Sequence, residues 1–215
     1  MRNQKKLSLY MSVALLIVFV LWTVFVRFID VQPIGPMEST VGFSTLNGRV
    51  HDILGVHMSL YTITDWLGLL PIAIVLGFGI LGLMQWIKRK NFLRVDKSIL
   101  LLGGFYIVVM AVYIFFEAVV INYRPVLIDE KLESSYPSST TMLVMCVMPT
   151  SIMQFNERIK NLILRLCVNF SIVAFIGFMV ICRLISGVHW FTDIIGGILL
   201  RAGLLFMYAF VSKKY

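Results

Sequence analysis

Three short stretches hold the side chains best suited to act together on a substrate. Arg124-Pro125 follows a long apolar run, with Glu117 seven residues earlier. Tyr136-Pro137-Ser138-Ser139-Thr140 leads into another such run, and Arg183 is followed by His189 after five intervening residues and by Asp193 four residues later. An arginine presents a planar fork of donors matched to phosphate oxygens. A Ser-Ser-Thr segment that opens a helix offers hydroxyls and free backbone N–H groups to an anion. His189 and Asp193, at i and i+4, share a face if both are helical, so the carboxylate can hold one imidazole nitrogen and leave the other to react. Two arginines, a helix N-terminus and an oriented histidine suit phosphoryl transfer through a phosphohistidine, without a metal.

Each residue also has an ordinary explanation. A histidine at a membrane interface is more often structural than catalytic, and Arg183 can be an end-of-span arginine reaching for water. Ser-rich helix starts are usually caps, and Arg-Pro is a common loop dipeptide. Singly, these readings win. The joint reading is favoured because all three stretches fall on one side of a membrane, by a topology argument that uses none of them.

That argument starts from composition. The 215 residues are 59% hydrophobic and only 14% charged, with a mean hydropathy of +0.90. So little charge cannot cover a water-soluble domain of this length. Spans of roughly 20 apolar residues are expected at about Leu7–Ile29, Tyr61–Ile87, Ser98–Ile121, Thr140–Gln154, Leu162–Ile181 and Trp190–Val211, the fourth being the shortest. The first follows a basic Arg2–Lys6 stretch, but its apolar core is too long for a signal peptide and no small-x-small site follows, so it reads as a retained span. Lys5 and Lys6, the Lys88–Lys97 cluster, Arg158, Lys160 and Arg165, and Lys213 and Lys214 all fall on one side of six spans. Basic clusters mark the cytoplasmic side, so both termini are expected there and the candidate site outside, in a multi-pass cell-membrane protein. The net charge of +8 then reflects topology and anionic lipid rather than nucleic acid.

After the first span, Phe43, Leu46, Val50, Ile53, Leu54 and His57 recur at helical spacing, with Asn47, Arg49, His51 and Asp52 opposite. This is either a helix lying in the outer interface or a structured loop. Cys146, Cys167 and Cys182 lie in or at the ends of apolar runs, with no disulfide or metal-ligand spacing. The fold class expected is all-α, a polytopic helical bundle of about six spans. It forms one domain over residues 1–215, with the site-bearing core at about 98–211.

The pattern resembles the type 2 phosphatidic acid phosphatase family, the membrane branch of a superfamily that includes vanadium haloperoxidases. That family carries Lys, six residues, Arg-Pro; then Pro-Ser-Gly-His; then Ser-Arg, five residues, His, three residues, Asp. Cys182-Arg183, His189-Trp190 and Asp193 reproduce the third element with Cys182 in place of Ser, and Gly187 also fits. The resemblance implies His189 as nucleophile, Asp193 as its orienting carboxylate, and Arg124, Arg183 and Ser138 on the substrate phosphate; Ser139, in place of the family's Gly, is a further substrate-binding candidate. It implies no cofactor and no metal. Two positions depart from the pattern. Glu117 stands at the family's lysine, and a carboxylate repels phosphate; Thr140 stands at the histidine that protonates the leaving group, and a threonine hydroxyl is no general acid near neutral pH. Three compensations are open: an acid from His51 or His57, a diphosphate leaving group, or a cationic head group paired with Glu117.

The function expected is hydrolysis of a lipid phosphate or polyprenyl diphosphate at the outer face of the membrane. The alternative is a non-catalytic phospholipid-binding or transport protein built on a degenerate phosphatase site. A further expectation concerns Arg201, about 12 Å below Asp193 at 1.5 Å per residue. Its side chain is expected to meet Glu117 beneath the site, because an unpaired arginine at that depth is costly.

Overall fold

Apolar runs fold as helices in lipid because every backbone donor and acceptor is then satisfied within the segment. The computed structural model describes residues 2–212, so the expected cytoplasmic Lys213 and Lys214 lie outside the described residues. Its helices are α1 (Arg2–Phe28), α2 (Ser44–Leu54), α3 (Met58–Leu67), α4 (Leu69–Arg89), α5 (Lys97–Ala118), α6 (Ser139–Arg158), α7 (Leu162–Ile185) and α8 (Phe191–Ser212). Among the described residues there is no β-strand, only isolated bridges such as Tyr123 to Ser134. The protein is a multi-pass integral membrane protein of all-α class.

Among the described residues five segments are long and apolar enough to cross a membrane: α1, the joined α3 and α4, α5, α7 and α8. The fourth expected span is α6, whose length of 20 residues suffices but whose composition is mixed. Its position explains this. Helix α6 packs against α4, α5, α7 and α8, so its polar groups meet protein instead of lipid. Thr150 contacts the Tyr106 hydroxyl at 3.1 Å and Gln154 donates to the Tyr208 hydroxyl at 3.2 Å. Outer helices instead expose side chains such as Ile107 and Phe170, 72% and 75% exposed, as lipid contact requires.

Hydrogen bonds fix the directions. Ser12 donates to the Gly203 carbonyl and Trp22 to the Thr192 carbonyl, so α1 and α8 run antiparallel. Gln154 reaches Tyr208 while Arg201 reaches Ser138, so α6 and α8 run parallel. Asn169 to Asn156 and Arg183 to Thr140 make α7 antiparallel to α6. One end of the bundle therefore gathers the start of α3, the end of α5, the start of α6, the end of α7 and the start of α8. The basic Lys88–Lys97 and Arg158–Arg165 connections lie at the other end.

The segment after α1 is a helix, α2, but it faces the other way from the expectation. Asn47 is fully buried and Ile53 is 82% exposed. The reason is the first turn of α8, whose orphan N–H groups need acceptors. Asn47 accepts from the Thr192 backbone N–H at 3.2 Å and donates to the Thr192 hydroxyl at 2.9 Å and the Gly42 carbonyl at 2.8 Å. The α2–α3 connection then meets the α7–α8 connection: His57 N–H donates to the Ser186 carbonyl at 3.0 Å. Gly187 has φ +69°, and a Cβ there would lie 2.1 Å from the Gly55 carbonyl oxygen. Only a glycine permits both.

Candidate active site

Arg124 sits in the hairpin between α5 and α6, where its N–H donates to the Glu133 carbonyl at 3.0 Å. Its guanidinium pairs with the Glu133 carboxylate at 3.1 Å and is 7% exposed. Arg183, in the last turn of α7, is 1% exposed. It donates to the Thr64 hydroxyl at 3.0 Å, the Tyr61 carbonyl at 3.3 Å and the Thr140 hydroxyl at 2.8 Å, with the Asp65 carboxylate at 3.5 Å. Both guanidiniums lie over the ring of Tyr61, 5.8 and 4.8 Å from its centre. Two buried like charges against one ring repel each other, and Arg124 Nη1 and Arg183 Nε keep no hydrogen-bond partner among the described residues. The pair is arranged for an anion.

His189 lies between α7 and α8 and is 4% exposed. Its Nδ1 is 3.1 Å from the Ser135 carbonyl oxygen. A carbonyl only accepts, so Nδ1 carries the proton and Nε2 the lone pair. Nε2 is buried with no partner among the described residues. Burial first, then the positive charges of Arg124 and Arg183, hold the imidazole well below the usual histidine range. It is therefore neutral near pH 7, the form in which a histidine is a nucleophile.

Asp193 is fully buried but makes no hydrogen bond with His189, whose Nδ1 faces Ser135 instead, contrary to the expectation of a shared helix face. Helix α8 begins only at Phe191, so His189 precedes it and the i, i+4 geometry does not apply. Asp193 instead occupies the third helical position and accepts from the Trp190 N–H at 2.9 Å, as in one half of a capping box. It also accepts from Asn122 Nδ2 at 3.0 Å and from the Ser135 hydroxyl. Asp193 thus fixes Ser135, and Ser135 fixes His189. Ser135 and Asn122 escaped the sequence reading. A polar asparagine closing a long apolar run was the available signal for Asn122.

The remaining candidates divide. Ser138, the N-cap of α6, is fully buried; its hydroxyl is 2.9 Å from the Thr141 hydroxyl and its carbonyl accepts from Arg201 at 2.6 Å. Ser139 lines two cavities at the head of α6, of about 410 and 480 Å³. Thr140 accepts from Arg183 and so props the arginine. Glu117 and Arg201 do not meet. Glu117 accepts from the Ser134 hydroxyl at 2.9 Å, whereas Arg201 lies across Gly197 and reaches Ser138 and, at 3.6 Å, the sulfur of Met145. The arginine finds a helix-end carbonyl on its own level, which removes the need for a distant carboxylate. His57 turns to the Leu54 carbonyl at 2.9 Å. His51 packs on Trp190, ring centres 5.5 Å apart, and shares with His189 the lining of a cavity of about 10 Å³. Among the described residues no group of three or more His, Cys, Asp and Glu is placed to hold a metal ion.

The family model described as the PAP2 superfamily matches residues 118–215. The match spans just under half of the chain. The PAP2 stretch contains Arg124, Ser135, Arg183, His189 and Asp193, and begins one residue after Glu117. The chain is also similar to a crystal structure of a transmembrane PAP2-type phosphatidylglycerolphosphate phosphatase from Bacillus subtilis. The TM-score is 0.62 at 19% sequence identity, over 95% of this chain and 97% of that one. The two share a fold over nearly their whole lengths, so the helices before the PAP2 stretch also follow that architecture. No curated protein sequence matches the chain.

Proposed function

We propose that the protein is a membrane phosphatase that hydrolyses a lipid phosphate or polyprenyl diphosphate at the outer face of the membrane, through a phosphohistidine on His189. The observation that carries this reading is the state of His189: Nδ1 committed to the Ser135 carbonyl, Nε2 buried and unpartnered. The match of residues 118–215 to the PAP2 superfamily model and the fold shared with a lipid phosphatase support it.

In the proposed reaction Arg124 and Arg183 hold the non-bridging phosphate oxygens and spread their charge. The lone pair of Nε2 attacks phosphorus, the P–O bond to the leaving group breaks, and its electron pair departs with that oxygen. The imidazole becomes cationic in the phosphohistidine, and the Ser135 carbonyl facing Nδ1–H stabilises that charge. Water then attacks phosphorus, inorganic phosphate leaves, and the pair returns to Nε2. Thr140, at the position of the acid in the family's second motif, is engaged with Arg183 and is no general acid near neutral pH. A diphosphate leaving group, already anionic and weakly basic, asks least of a missing acid.

The same Thr140–Arg183 bond favours the second reading, a lipid-binding protein that no longer turns over. Phosphate release by the purified chain against lipid phosphates and diphosphates, with chelator present, separates the two. Release that persists in chelator supports the phosphatase. Tight binding without release from any member of the panel supports the alternative.

A further inference from the structure

A recess beside Arg124 plays no part in the steps above. It has a volume of about 480 Å³, and its walls include Tyr113, Glu117, Tyr123, Arg124, Glu133 and Ser139. Two carboxylates face one guanidinium, a net charge of −1 against a site built for an anion. Glu133 is paired with Arg124 at 3.1 Å. Glu117 takes a neutral donor, the Ser134 hydroxyl at 2.9 Å, and makes no ion pair among the described residues. Arg124, 7% exposed, lines the same recess with Nη1 unpartnered. An anion donor and an uncompensated carboxylate therefore share one cavity.

The recess also adjoins an apolar groove. Tyr113 and Ser139 line both the recess and a second cavity of about 410 Å³, walled by Leu69, Ile72, Met110 and Leu143 between α4, α5 and α6. A molecule lying across Tyr113 and Ser139 would place a phosphate at Arg124 and a chain among these apolar side chains. The group next to the phosphate would face Glu117 and the rings of Tyr113 and Tyr123. Carboxylate together with aromatic rings is the chemistry that holds an ammonium.

We infer that Glu117, Tyr113 and Tyr123 form an ammonium subsite, so that the preferred substrate is a phosphomonoester whose alcohol carries an amine a few bonds from the phosphate. This rests on the phosphatase reading and narrows it. The amine can sit on a chain-bearing lipid or on a small soluble amino alcohol; the recess recognises the chemistry they share, and the groove suits the first.

The test uses the full chain in detergent with three probes. These are a long-chain 2-aminoalkyl phosphate, its 2-hydroxyalkyl counterpart of equal length, and phosphoethanolamine. The wild type is expected to prefer the amine over the hydroxyl probe by about tenfold in kcat/KM, the size of one partly screened ion pair. Glu117→Gln brings the ratio to about one, and Glu117→Lys inverts it. Poor turnover of phosphoethanolamine assigns the ammonium to a lipid; equal turnover assigns it to a soluble ester. A wild-type ratio of one, or a ratio that Glu117→Lys leaves unchanged, overturns the inference. If Glu117→Lys does not fold, Glu117→Gln carries the same decision. If no probe releases phosphate, the phosphatase reading fails on its own. The rise in Tm caused by each long-chain lipid then decides, a larger rise with the amine that is lost in Glu117→Gln being the expected result and equal rises the contrary one.

Discussion

The backbone carbonyl of Ser135 stands 3.1 Å from Nδ1 of His189 and sets its tautomer. Asp193 acts one step further back. It accepts the Ser135 hydroxyl, Asn122 and the Trp190 N–H, and so holds the loop that holds the ring. The proposed nucleophile is oriented by a relay of backbone and side chain instead of by a carboxylate–imidazole hydrogen bond.

The relay makes Asp193 and Ser135 one unit. Asp193→Asn and Ser135→Ala should each lower kcat by about 10- to 100-fold, the range for groups that orient a reacting ligand. The double variant should lose little more than the worse single one, because both break the same connection. His189→Ala should leave only background release. Steady-state kinetics on the four proteins checks this, and fully multiplicative losses in the double variant contradict the relay.

The pH dependence of stability follows from the same ring. His189 is held below the usual histidine range by burial, then by Arg124 and Arg183, while in the unfolded chain it titrates near 6.5. Below about pH 6.5 the unfolded state binds the extra proton, so stability falls as pH falls, by up to about 1.4 kcal/mol per pH unit. Above that pH the stabilisation is fully present. Thermal melts between pH 5 and 8 should show wild type losing stability on the acid side relative to His189→Gln. Parallel curves contradict a neutral buried ring.

Much of this was legible in the residues. Five of the six expected spans follow from apolar length, and Arg124, Arg183 and His189 do gather at one end of the bundle. What failed was detail set by where helices start. The i, i+4 spacing of His189 and Asp193 assumes a helix that begins two residues too early. The face of α2 was misread because Asn47 caps α8, a tertiary demand that no periodicity contains. Ser135 was invisible because its contribution to His189 is a backbone carbonyl, which any residue type carries.

Arg201 shows how burial alone misleads. It is fully buried and ties the head of α6 to α8 through the Ser138 carbonyl at 2.6 Å. Arg201→Met should lower Tm clearly, since a charge-assisted bond of about 1.5–3 kcal/mol is lost, although the carbonyl keeps the Met142 N–H at 2.9 Å. Glu117→Gln, at the open recess, should shift Tm little. The two effects should add within about 0.5 kcal/mol, as for residues without contact. A clear shortfall in the double variant would restore the pairing that the structure lacks.

Gly187 tests the packing of the two connections. Alanine there meets both φ +69° and the Gly55 carbonyl, so Gly187→Ala should destabilise by more than about 1 kcal/mol and weaken turnover by displacing His189, two residues away. Gly104→Ala, where a Cβ meets nothing within 4 Å, is the control and should be neutral or slightly stabilising. Equal Tm values for the two variants contradict the close approach.

The most direct test of the account is to trap the intermediate. The full chain is mixed with a substrate carrying labelled phosphorus, quenched in alkali within one turnover and digested for peptide mapping. Phosphate on nitrogen is stable in alkali and released by acid, unlike a serine ester. The account predicts acid-labile, alkali-stable label on the peptide containing His189, absent in His189→Ala. Rapid phosphate release with no label on that peptide, or label retained in His189→Ala, contradicts it.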